Sequence, residues 1–415
     1  MSVSFNELLR VFLRIGLLSF GGPAAQIAVM HRELVETRPW LSERQFLNAL
    51  SFCMLLPGPE AMQLATYSGW RLWGVTGGLI AGLLFVIPGA LVMLALAALY
   101  AWLGNVPLVE ALFLGIKATV VVIVLEALLK VSKKALHGID RWVIAALSFI
   151  AIFFLAAPFP LIIAAAAAYG ALKGGTAGVS TPPPGKANTL RTLAIWGALW
   201  WAPIALLWIS GQQFLTDLGL FFSKLAIVTF GGAYAVLAYM TQEVVQVQGW
   251  LTTAQMMDGL GLAETTPGPL ILVTEFVGYL AGHGAGGIAL AVVAAILTVW
   301  VTFVPCFLWI FAGAPYIEWI STRPRLTGAL QAITAAVVGV ILNLSLWFAV
   351  HVFFDTVTTS RIGSVRLLTP EFASLDLRTL ALAIAAAVAL LYLRWGLMKV
   401  LGLAAVLGAA VSYLA

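Results

Sequence analysis

Charge is what this sequence has least of. Asp, Glu, Lys and Arg make up 9% of its 415 residues, while hydrophobic residues make up 62%. A soluble domain carries about 25% charged residues, so a water-facing coat cannot be built here and a soluble globular protein is excluded. Cysteine is nearly absent. Cys53 and Cys306 both stand in apolar stretches and no C-x-x-C pair occurs, which removes a disulfide framework and a thiolate metal site. The four histidines are scattered, so no metal and no cofactor are expected. No G-x-x-x-x-G-K-[ST] signature occurs and no soluble domain is present to hold one, so this chain does not energise anything by binding ATP itself. No H-E-x-x-H and no defensible Ser–His–Asp set appears, and an enzyme is not expected. A cleaved signal peptide is not expected either, because Glu7 interrupts the first apolar stretch and no A-x-A-like site follows a short apolar core.

What fills the chain instead is long apolar sequence. Mean hydropathy is +1.03, and several runs reach the roughly 20 residues that cross a bilayer as helix. They lack the polar alternation of outer-membrane strands. The class expected is an all-α polytopic protein of the lipid bilayer, in an inner (plasma) membrane. The net charge of +5 sits in short loops between apolar runs, as the positive-inside rule describes, and does not point to nucleic acid. Lys173 to Thr192, rich in Gly and carrying Pro182-Pro183-Pro184, reads as a linker of flexible and extended backbone. It divides the chain into residues 1–172, a linker 173–192, and residues 193–415.

The two parts repeat each other. Phe20-Gly21-Gly22-Pro23, Trp40-Leu41 and Pro57-Gly58-Pro59 return as Phe230-Gly231-Gly232, Trp250-Leu251 and Pro267-Gly268-Pro269, each pair 210 residues apart. Gln45 and Leu50 match Gln255 and Leu260 in the same register. Gly77-Gly78 aligns with Gly286-Gly287, and Ile116-Lys117-Ala118 with Ile333-Thr334-Ala335. The loop His31 to Arg44 carries Arg32, Arg38 and Arg44, whereas its mate Thr241 to Thr253 has no Lys or Arg. By the positive-inside rule the first loop is cytoplasmic and the second external. The halves then form an inverted-topology repeat, an architecture of secondary transporters.

The repeated motifs are helix breakers, tolerated at membrane depth only where they line a cavity or are buried in protein. Gly21 and Gly22 permit the left-handed backbone that interrupts a helix, and Pro23 suits the first position of a new one. The half-helix end carries partial positive charge and free N–H groups, a natural anion site. Gly231 and Gly232 offer the mate, with Ala233 in place of the proline. Pro57, Gly58 and Pro59, and Pro267, Gly268 and Pro269, force a second break in each half, either re-entrant or a kink needed only for packing. Lys117, near the middle of an apolar span, either attracts an oxyanion or pairs with Glu60 or another carboxylate. Glu60, Glu264 and Glu275 flank the Pro-Gly-Pro motifs and are coupling candidates, or else cap half-helices. Gln26, Gln63 and Asn343 offer neutral hydrogen bonds, to a substrate or to a neighbouring helix. Arg10 and Arg14, four residues apart, suit snorkelling to the interface.

The set Phe20-Gly21-Gly22-Pro23, Leu56-Pro57-Gly58-Pro59, Gly249-Trp250-Leu251-Thr252 and Ala263-Glu264-Thr265-Thr266-Pro267-Gly268-Pro269-Leu270 resembles the chromate ion transporter family, in its two-domain form. The resemblance implies export of chromate from the bacterial cytoplasm, resistance to it, and drive from a membrane gradient. Its short forms work as pairs of single-domain chains, which fits opposite orientation of the halves and leaves a homodimer open as the assembly. The family often carries His at the position of Gln26 and Gln at that of Met54. Sulfate is a tetrahedral dianion of similar size, so uptake, exchange or channel-like passage of sulfate or another oxyanion is the competing expectation.

Overall fold

The computed structural model describes residues 3–104, 106–174, 189–230, 233–317, 323–363 and 365–413. The protein is predominantly helical and five helices are long and apolar enough to cross a membrane among the described residues, as a multi-pass membrane protein requires. In chain order they are α1 (Phe5–Leu18), α2 (Gly22–His31), α3 (Glu43–Cys53), α4 (Glu60–Leu103), α5 (Pro107–Ala135), α6 (Ile139–Phe153) and α7 (Phe159–Lys173). The second part supplies α8 (Thr189–Ile209), α9 (Gln213–Val228), α10 (Ala233–Thr241), α11 (Thr253–Thr265), α12 (Val273–Gly313), α13 (Pro324–Phe353), α14 (Leu377–Ala387) and α15 (Leu397–Tyr413). Most of the expected linker, residues 175–188, lies outside the described residues. Thr189 to Thr192 form the first turn of α8.

Fine details of the backbone recur in the 210-residue register. Both α2 and α10 run directly into π-helical turns, Arg32–Glu36 and Gln242–Val247. Both α3 and α11 open on a reciprocal cap. Ser42 N–H donates to Gln45 Oε1 at 3.0 Å and Gln45 N–H to Ser42 Oγ at 3.3 Å. Thr252 and Gln255 do the same at 2.9 and 3.2 Å. Such a capping box satisfies two orphan donors at a helix start, which is the physical content of the Gln45–Gln255 match. α4 and α12 each contain one sharp reversal. That of α4 falls at Trp73 and Gly74 (φ 59°), not at Gly77-Gly78, and that of α12 at Gly286 and Gly287 (φ 79°). Gly69 and Gly77 then face each other across the α4 reversal so closely that a Cβ on Gly69 would stand 2.2 Å from the Gly77 carbonyl oxygen.

The chain condenses into two compact units, and neither coincides with a sequence half. The first contains the described residues within 1–98, 176–233 and 262–324. In it α8, α9 and the second arm of α12 pack together, Trp200 Nε1 donating to Ser223 Oγ at 3.1 Å and Trp300 Nε1 to the Leu199 carbonyl at 2.9 Å. The outer face of α8 leaves Leu206, Trp208 and Ile209 exposed, as suits a helix that meets lipid.

The second unit contains the described residues within 99–175, 234–261 and 325–415. Here each long helix packs on the short pair from the other half. A Cβ on Gly115 of α5 would stand 1.7 Å from the Ala404 carbonyl oxygen of α15. One on Gly339 of α13 would stand 2.2 Å from that of Ala145 in α6. Small residues let helix backbones approach this closely where lipid removes the hydrophobic drive for association. Val122 and Ile123 of α5 join Leu382, Ala386 and Leu401 in the buried cluster behind this contact.

Two expectations are corrected or refined. The fold is not all-α. Residues expected as a polar loop form an antiparallel hairpin, β1 (Val357–Ile362) with β2 (Val365–Pro370), Val357 opposite Pro370. β-branched Val, Thr and Ile favour strand, and Gly363 (φ 60°) turns the chain between the two. The stretch Trp142 to Leu172, readable as one helix or two, is two: α6 and α7 part at residues 154–158, with Pro158 standing at the N-cap of α7.

Candidate functional site

The first unit gathers both Pro-Gly-Pro breaks. α1 ends at Leu18 and α2 begins at Gly22; between them Gly21 and Gly22 take φ of 82° and 81°, a left-handed backbone that costs a side chain about 1–2 kcal/mol. Pro23 follows in the first turn of α2. Pro57, Gly58 and Pro59 separate α3 from α4, and Pro267, Gly268 and Pro269 separate α11 from α12, with Gly58 at φ 114° and Gly268 at φ 85°.

The two breaks are tied crosswise. Gly58 N–H donates to the Thr229 carbonyl at 2.8 Å, and Gly268 N–H donates to the Ser19 carbonyl, also at 2.8 Å. Ser19 and Thr229 are repeat mates, as are Gly58 and Gly268. Each acceptor stands two positions before a Gly-Gly pair, and each bends its hydroxyl back to the carbonyl four residues earlier, Ile15 and Leu225. Four chain interruptions are thereby knitted through backbone groups that no helix could satisfy.

Around this knot the halves differ. Gln26, 1% exposed, donates Nε2 to the Gly268 carbonyl at 2.7 Å. On the other side Gln63 donates Nε2 to the Pro57 carbonyl at 2.7 Å. Backbone also presses in. A Cβ on Gly89 would stand 2.1 Å from the Pro267 carbonyl oxygen, and one on Gly58 would meet Cys306 Sγ at 2.9 Å. Buried polar atoms without a hydrogen-bond partner collect in this unit: Gln63 Oε1, Thr274 Oγ1, Glu275 Oε2 and Thr302 Oγ1. Glu60 opens α4, Glu264 lies buried near the end of α11, and Glu275 lies buried in the first turn of α12. Gly231 and Gly232 lie outside the described residues.

Lys117 belongs to the second unit. Its ammonium stands 3.2 Å from Asp258 Oδ1, with the Lys117 side chain 24% and the Asp258 side chain 5% exposed. Asp258 Oδ2 accepts from Tyr100 Oη at 2.6 Å. The carboxylate that meets Lys117 is thus Asp258, a residue sequence reasoning passed over. It is the one ionisable residue between Trp250 and Ala263, inside an apolar stretch, the same signal that singles out Lys117. Lys117 also lines a cavity of about 320 Å³ with Thr253, His351, Asp355 and Thr379.

The charged loop between α2 and α3 is organised separately. Buried Glu33 receives Arg38 Nη1 at 2.6 Å and Arg14 Nε at 3.4 Å. His31 lies between Glu36, 3.1 Å from Nδ1, and Glu43, 2.7 Å from Nε2. The hydrogen bond to Glu43, aided by Glu36, raises the imidazole pKa above its ordinary value against a smaller desolvation effect. No group of three or more His, Cys, Asp or Glu that could hold a metal ion occurs among the described residues.

A family model described as Chromate transporter matches residues 6–171 and 216–409. The Chromate transport protein of Pseudomonas aeruginosa is 33% identical over 356 residues, spanning 82% of this chain and 80% of that protein. The Chromate transport protein of Cupriavidus metallidurans is 31% identical over 350 residues, 81% of each chain. The Uncharacterized transporter YwrA of Bacillus subtilis is 31% identical over 168 residues, which is 40% of this chain and 94% of that protein. No solved structure matches the chain. With the family pattern running through both repeats and nearly end to end, this chain belongs to the chromate transporter family.

Proposed function

We propose that this protein is a secondary transporter of a bacterial inner membrane that exports chromate from the cytoplasm, is driven by a membrane gradient, and confers chromate resistance. The observation that carries the substrate is the match, over about four-fifths of each chain, to two relatives named chromate transport proteins. It is a transport protein rather than an enzyme.

The halves 1–172 and 193–415, joined by the linker 173–192, are read as an inverted repeat. The arginine-rich first loop against the Lys- and Arg-free second loop supports that reading. So do the crosswise hydrogen bonds, in which each half completes the other's broken backbone. In the first unit the anion is held by backbone N–H groups at Gly21, Gly22, Gly231 and Gly232 with Gln26 beside them, shaped by Pro23, Pro57, Gly58, Pro59, Pro267, Gly268 and Pro269, the Gly58 and Gly268 N–H groups themselves being held by the Thr229 and Ser19 carbonyls. Lys117, in the second unit, is a fixed positive charge that the anion meets on its path. Such N–H groups at interrupted helices suit an anion at the bilayer midplane. Glu60, Glu264 and Glu275 are the carboxylates that link transport to protons, because an acid near an anion site repels the anion until it is protonated.

The test is chromate retention by intact cells preloaded with it. Cells producing the protein lose chromate faster than cells without it, and a protonophore slows that loss. Equal loss from both cell types contradicts export.

A further inference from the structure

Asp258 and Lys117 form a close ion pair. The ammonium is 3.2 Å from Oδ1, which is buried and meets no partner besides Lys117 among the described residues. Tyr100 fixes only the other oxygen. Lys117 thus pairs with a buried carboxylate and also lines a polar cavity of about 320 Å³. It has three N–H donors to distribute, and its side chain is partly exposed. An ammonium so placed has two possible partners: the fixed carboxylate beneath it and any anion that enters the cavity.

We propose that Asp258 is an internal competitor for Lys117, a carboxylate that takes the ammonium back from the bound oxyanion and so drives its release. This rests on the reading of Lys117 as a contact of the transported anion and deepens it. The reasoning is electrostatic. A buried carboxylate is costly to leave unpaired, so departure of the anion is favoured by restoration of the Lys117–Asp258 pair. Entry of the anion is opposed by the same amount. Asp258 therefore weakens binding and speeds turnover together. Protonation of Asp258 removes the competitor and strengthens anion binding. The groups that face Asp258 are Lys117 and Glu110 from α5 and Tyr100 from the end of α4. His351 and Asp355 share the cavity with Lys117. Asp355 repels an anion at the wall and cannot replace Asp258 beneath the ammonium.

The experiment is chromate uptake by everted membrane vesicles, with KM and kcat per inserted protein for wild type, Asp258→Asn, Asp258→Glu and Tyr100→Phe. Asp258→Asn keeps the acceptor for Tyr100 but loses the charge, so KM and kcat both fall, each by about tenfold for a close charge pair. Asp258→Glu moves both back toward wild type. Tyr100→Phe has the opposite sign: without the phenol donor, the carboxylate's charge falls more fully on Lys117 and KM rises. This holds the proposal to account even where Asp258→Asn does not insert. In wild type KM falls on acidification relative to Asp258→Asn, and protonation of chromate itself cancels in that ratio. A merely structural Asp258 would make both substitutions lower kcat with KM unchanged or raised, which overturns the proposal. Saturable wild-type transport with unaltered kinetics in Asp258→Asn overturns this inference alone. No saturable chromate transport by the wild type overturns the functional reading and this inference with it.

Discussion

Gly58 gives its backbone N–H to the carbonyl of Thr229, 171 positions away, and the mate of each residue makes the mate of that bond, Gly268 to Ser19. An interrupted helix leaves N–H and C=O groups that lipid cannot satisfy. Here each interruption is the other's remedy. The breaks in one half would be unsupportable without those in the second half, which gives a physical reason for keeping both copies of the motif in one register.

Glycine is required by space at Gly89 and by backbone angle at Gly22. Gly89→Ala places a methyl carbon 2.1 Å from the Pro267 carbonyl oxygen, a backbone atom, whereas Gly22→Ala meets nothing within 4 Å. Gly89→Ala therefore costs about 1–3 kcal/mol of overpacking, and Gly22→Ala about 1–2 kcal/mol for a side chain on left-handed backbone. Thermal unfolding of the purified proteins in detergent orders them.

Gln26 is a sharper probe. Its amide N–H serves the Gly268 carbonyl, and a donor is what that site needs. Gln26→Leu strands a buried acceptor at a cost of about 1–3 kcal/mol. Gln26→His keeps a donor and stays near wild type. Melting temperatures separate the two.

Much of this was legible in the sequence and some was not. The helix breaks follow from local chemistry, since Gly and Pro act on their own residues and neighbours. The capping boxes at Ser42–Gln45 and Thr252–Gln255 are equally local. The Gly58–Thr229 bond and the Lys117–Asp258 pair join residues more than a hundred positions apart, and no local propensity encodes them. The α4 reversal at Trp73-Gly74 escaped because Gly77-Gly78 offers a better local match to Gly286-Gly287, and the close approach of Gly69 to Gly77 across the turn is visible only in the fold. The β-hairpin escaped because its alternation is short and its outer face polar.

The caps give a matched pair of measurements. Ser42→Ala and Thr252→Ala each remove a hydroxyl acceptor from a helix start, and each costs about 1 kcal/mol. Equal losses of melting temperature are expected if the two starts are equivalent. A loss at one site only would show that the second cap is redundant with its surroundings.

His31 predicts a pH dependence of stability. Its pKa is raised in the fold by Glu43 first and Glu36 next. The stabilisation from the charged ring is fully present below the unfolded value of about 6.5 and is lost as pH rises through the raised folded value. The wild type therefore loses melting temperature across that interval relative to His31→Gln. Parallel curves for the two proteins would remove His31 from the account.

Both halves are expected to contribute to transport. Pro57→Ala and Pro267→Ala each impair chromate export at normal membrane levels, because each relaxes a break that the other half depends on. Normal export by either variant would confine the working site to one half.

The most direct test is chromate uptake into everted membrane vesicles containing this protein, with and without an energised membrane, and with sulfate as competitor. The account predicts saturable, energy-dependent accumulation above vesicles that lack the protein. Accumulation no greater than in those vesicles, with the protein folded and inserted, would contradict it and remove chromate as the substrate.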